Sequence, residues 1–126
     1  MDQRFLERPA FAMELCRGKA REMAEITRRA METALEVLSE YDKEKVDEVT
    51  RIESLADRYE DVLGSYLVKL SSKNITTSDS QSMSIILHSI SDFERISDHA
   101  MEIAKSAEEI HVKGLSFTKH ARKEIE

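Results

Sequence analysis

Cysteine, proline, glycine and tryptophan are all scarce in this chain: one Cys, one Pro, three Gly and no Trp among 126 residues. A lone Cys16 excludes an internal disulfide framework and points to a reducing compartment. So few Gly and Pro leave little punctuation for many short strands and turns, and long helices are the expectation. No apolar run approaches the length of a membrane span, and the first residues, MDQRFLERPAF, carry charges where a signal peptide needs an apolar stretch. The chain as given therefore reads as soluble. An unbroken basic stripe is missing too. The 25 Asp and Glu outnumber the 19 Lys and Arg for a net charge of −6, and no nucleic-acid partner is expected. There is no glycine-flanked Ser and no Gly-rich phosphate loop, so nucleophilic and nucleotide chemistry have no support.

What the chain does have is helical periodicity. With 40% apolar and 35% charged residues it is too apolar for a disordered tail, and its length suits one domain. A first helix is predicted over residues 9–41, because Pro9 costs no hydrogen bond in a first turn and Cys16, Ala20, Met23, Ala30, Ala34, Val37 and Tyr41 recur at helical spacing. Asp42 is the predicted N-cap of a second helix over 43–71, whose Val49, Ile52, Ala56, Tyr59, Leu63, Tyr66 and Leu70 alternate in steps of three and four. So short a link makes these helices antiparallel neighbours. After the polar stretch SSKNITTSDS, Ser78 and Gln81 have capping-box spacing for a third helix over 78–113, and Gly114 is placed as its C-terminal cap. LSFTKHARKEIE then reads as a partial fourth helix over 117–126. The expected fold is an all-α antiparallel three-helix bundle with the start of a fourth helix. Its wide Ala-rich faces leave apolar surface to share, so self-association is expected.

The candidate chemistry lies in acidic ladders. Glu53, Asp57 and Glu60 stand three or four residues apart on the second helix, and Glu94 and Asp98 repeat the spacing on the third. Both ladders flank the apolar arcs of their helices. Like charges so close need water, an arginine such as Arg58 or Arg95, or a cation to offset them. Oxygen ligands favour Mg, Mn, Ca or iron, and no Cys cluster argues for structural zinc. A solvated or ion-paired face remains the commoner explanation of such pairs. Glu108 and His111 form one Glu-x-x-His unit, but a di-iron carboxylate site needs two. His88 and His99 fall on the outward side of the third helix, Cys16 falls on an apolar stripe, and Met13, Met23, Met31 and Met101 read as core filler.

The stretch DFERISDHAMEIA, preceded by the helix containing ESLADRYEDVLGSYLVKLS, resembles the PhoU family of phosphate-transport regulators, whose third helix carries an E-R-I-G-D motif. The N-terminal DQRFLERPAFAMELCR is similar to the segment that follows the membrane domain in bacterial sodium/phosphate cotransporter-related proteins bearing a C-terminal PhoU-like domain. The resemblance implies a three-helix bundle, usually repeated in tandem, whose Glu/Asp-x-x-x-Asp motifs bind multinuclear iron or zinc clusters. That pattern maps onto Glu94 and Asp98 and onto Glu53 and Asp57, with Glu60 as an addition one turn on. Ser97 departs from the family's Gly, and Glu102 from its common Asn. The expected role is a non-enzymatic regulatory domain on the cytoplasmic side of the bacterial inner membrane, excised from a membrane transporter. Its expected partners are the transporter domain and a second PhoU-like bundle or a second copy of the chain. The alternatives are a metal-dependent carboxylate-site enzyme and a purely structural dimerising bundle.

Overall fold

The computed structural model describes residues 3–73 and 75–125, with side chains over 4–73 and 75–115. A short 3-10 helix, Gln3–Glu7, leads into α1 (Pro9–Ser39), α2 (Lys43–Ser71) and α3 (Thr77–Ile125), and no strand occurs among the described residues. The chain is an all-α three-helix bundle in which each long helix packs on both others. No helix among the described residues is long and apolar enough to cross a membrane.

The ends of the helices follow from local chemistry. Pro9 occupies the first turn of α1, where its missing N–H has no intrahelical partner to lose. Asp42, in extended conformation, accepts the Glu44 N–H at 2.9 Å and caps α2. Glu40 is extended as well and ends α1 at Ser39, two residues before the periodicity gives out. Tyr41 leaves the helix and stacks on His111 of α3 with ring centroids 4.0 Å apart. The cap of α3 lies before the predicted Ser78. Thr76 Oγ1 accepts the Asp79 N–H at 3.0 Å, so α3 starts at Thr77.

The predicted stop at Gly114 and the separate helix over 117–126 are corrected by the structure. The α3 backbone runs unbroken through Gly114 to Ile125. A glycine cap works by adopting positive φ, and among the described residues no glycine does so. Because Tyr41, just past the end of α1, meets His111, the last turns of α3 run beyond the turn that joins α1 to α2.

The core forms two clusters along the bundle. One, built on larger side chains such as Met13, Met23, Leu63, Leu67, Leu70 and Ile90, fills the end near the α2–α3 loop. The other, with Ala30, Ala34, Ala100, Ala104 and Ala107 around Val37, Val46 and Val49, fills the end near the α1–α2 turn. Small residues let helix axes approach, and the second end is the one lined with them. Between the clusters, α1 contributes Thr27 and α3 contributes Ser97, each 1% exposed. Thr27 Oγ1 donates to the Ala24 carbonyl at 3.0 Å. Ser97 Oγ has no hydrogen-bond partner.

Candidate metal centre

The junction of the two core clusters is also where the acidic ladders meet. On α2, Glu53 and Asp57 flank the core residues Ile52 and Ala56; on α3, Glu94 and Asp98 lie between the core-packed Phe93 and Ala100. Spacing of four residues puts each pair on one side of its helix, and the pairing of α2 with α3 brings the two sides together. One carboxylate oxygen from each of Glu53, Asp57, Glu94 and Asp98 lies within 4.8 Å of the others. Asp57 is exposed and the other three are half-buried. Glu60, one turn further along α2, stands outside this group and lines a groove with Asp61, Gly64, His88 and Ser91.

The electrostatics are those of crowded acids with little to balance them. Glu94 is pushed up to about 7, first by burial, then by contact with Asp57, then by Asp98 and Glu60. Burial, followed by Asp57 and Asp98, raises Glu53 as well. Glu60 is raised by burial and by the charges of Asp61, Asp57 and Asp98. Among the described residues no Lys, Arg or His forms an ion pair with any of the four clustered acids. The arginines considered as counter-charges are placed elsewhere: Arg95 pairs with Asp92 at 3.7 Å, and Arg58 lines a cleft with Lys19, Leu55 and Tyr59. Four convergent carboxylates, with no thiolate or imidazole among them, suit a hard cation.

The other sequence candidates have different occupations. Glu108 accepts hydrogen bonds from Tyr41 Oη at 3.2 Å and Lys43 Nζ at 3.3 Å, and its carboxyl is held below the usual range chiefly by Lys43. With His111 stacked on Tyr41, the Glu-x-x-His unit fastens α3 to the α1–α2 turn. His88 and His99 are exposed, and His99 Nδ1 lies 3.4 Å from Glu102, away from the acid cluster. Cys16 is buried and burial pushes its thiol up to about 11, which leaves it neutral and unreactive. Met13 and Met23 are buried in the core, while Met31 and Met101 pack against it.

Sequence reasoning passed over Ser97 as a buried polar group. The signal was present, since Ile86, Ile90, Phe93, Ser97, Ala100 and Ala104 continue one three-four alternation and put the hydroxyl in the seam.

Comparison with protein families matches the PhoU domain over residues 20–107, a span that contains all four clustered carboxylates and most of the bundle. Neither the curated proteins nor the solved structures include a match. With the greater part of its length accounted for in this way, the chain belongs to the PhoU domain family, whose members are regulatory helical domains of phosphate transport.

Proposed function

We propose that this chain is the non-enzymatic regulatory domain of a sodium/phosphate cotransporter-related protein, acting on the cytoplasmic side of the bacterial inner membrane. In this reading it holds iron, zinc or another divalent cation through Glu53, Asp57, Glu94 and Asp98, with Glu60 at the margin of the site. The family match supports the regulatory role, and the likeness of the N-terminal DQRFLERPAFAMELCR to the segment after a transporter's membrane domain supports the parent protein. The observation that carries the metal reading is the convergence of four carboxylates from two helices within 4.8 Å. A cation there cancels the repulsion between α2 and α3 and fixes their separation, so metal status becomes a structural signal. The signal passes to the transporter domain and to a second PhoU-like bundle or a second copy of the chain. Exposed apolar residues such as Val68, Ile85 and Ile110, at 65%, 66% and 67% exposure, supply surface for those contacts.

Elemental analysis of protein purified without chelator, beside the Glu53/Asp57/Glu94/Asp98 quadruple alanine variant, tests the site. Near-stoichiometric iron or zinc in the wild type and its loss in the variant are expected. No metal in either, even after incubation with these ions, removes the metal reading and leaves the family role standing. Recovering the parent reading frame tests the transporter half: membrane spans are expected upstream of this domain, and their absence sinks it.

A further inference from the structure

Ser97 is 1% exposed and its hydroxyl has no partner. A hydroxyl inside a helix ordinarily donates to the carbonyl one turn back. Thr50 does so to Val46 at 3.0 Å, as does Ser39 to Leu35 at 3.4 Å. Ser97 makes no such bond, although leaving a buried hydroxyl unsatisfied is destabilising. An alanine at this seam position would avoid that cost, as Ala100, Ala104 and Ala107 do further along the same helix.

The position of Ser97 supplies a reason for a hydroxyl there. It follows Glu94 by three residues and immediately precedes Asp98. Residues three apart on a helix are neighbours, so Ser97 stands beside Glu94 on its inner side, facing the core, while the carboxylates converge at the margin. A carboxylate that ligates a cation turns one oxygen to the ion and needs a donor for the other; such outer partners fix the ligand's orientation. Among the described residues no Lys, Arg or His is paired with the four acids. The carboxylates themselves are acceptors only once ionised. The buried hydroxyl is a donor without an acceptor, next to an acceptor that will lack a donor when the cluster is charged.

We propose that Ser97 is a positioning residue of the metal centre, its hydroxyl donating from inside the bundle to the Glu94 carboxylate oxygen that does not face the cation. This role rests on the metal reading above. It makes the stability cost of the unpartnered hydroxyl a property of the metal-free protein, relieved when a divalent cation binds.

Calorimetric titration with Mn²⁺ and, in parallel, Zn²⁺ tests it on the wild type and on Ser97→Ala, each also unfolded in excess chelator. Ser97→Ala is expected to bind about ten- to a hundredfold more weakly. Its metal-free form is expected to unfold at or above the wild-type midpoint, which separates weaker binding from a damaged fold. A serine with a merely structural role would shift the unfolding midpoint and leave the affinity alone. An affinity loss smaller than about threefold therefore overturns the role of Ser97 and leaves the metal reading intact. A wild type that binds neither ion overturns both.

Discussion

Glu94 makes the metal-free protein sensitive to pH near neutrality. Its carboxyl is raised to about 7, so in the folded chain it ionises less readily than in the unfolded one. A raised value means that its stabilising contribution is complete below the ordinary carboxylate range and is lost as pH climbs through about 7. Glu53 and Glu60, also raised, act in the same sense. Glu108 and Glu22 are lowered, Glu22 chiefly by the Tyr59 hydroxyl 2.9 Å away; their contribution is present above the ordinary range and lost only in acid. The two effects occupy different windows. Thermal unfolding in excess chelator should therefore give a midpoint that falls between about pH 5.5 and about pH 8. Glu94→Gln should flatten that fall and be the more stable protein at the upper end. A midpoint that rises over this interval in the wild type would contradict the charge crowding described. With a cation bound as proposed, the same acids would reverse the dependence, because binding requires them ionised.

At the scale of the element, the helices were legible to the extent that their determinants are local. The Asp42 cap, the Pro9 start and the three-four seam of α2 can be read from neighbours in sequence, and α2 spans Lys43–Ser71 in the structure. Tyr41 misled because its apolar ring continues the α1 pattern, while its contact is with His111, 70 positions further on in the numbering. Gly114 misled because a glycine near a polar stretch signals a cap, yet its backbone stays helical and a Cβ there would meet nothing within 4 Å. Gly114→Ala should accordingly stabilise α3 by about 0.5–1 kcal/mol, measured by chemical denaturation, whereas a glycine cap at positive φ would make the same change destabilising. Asp42→Ala should cost about 1 kcal/mol through the lost Glu44 N–H bond, in the same assay. The i,i+4 spacing of each carboxylate pair was likewise visible in the sequence. That two ladders flanking their apolar arcs could face each other was visible too; that they do so depends on the register between α2 and α3, which no local pattern encodes.

The whole molecule is a bundle with a small-residue end, an end of larger side chains and a polar junction that carries the acids. Substitutions should report this division. Leu67→Ala, at a fully buried site in the cluster of large side chains, should cost about 2–5 kcal/mol by leaving a cavity. Ala104→Leu, in the small-residue cluster, should cost about 1–3 kcal/mol by forcing the helices apart, read from denaturation midpoints. The bundle also holds α3 on one side only. Glu108 and the His111 ring stacked on Tyr41 fasten α3 to the α1–α2 turn, and from His111 to Ile125 the helix runs on past it for roughly 21 Å. Such a projection is a lever with its fulcrum at that anchor: a tilt of about 5° there sweeps its far end through about 1.8 Å, so a small shift of the α1–α2 turn is magnified at the tip of α3.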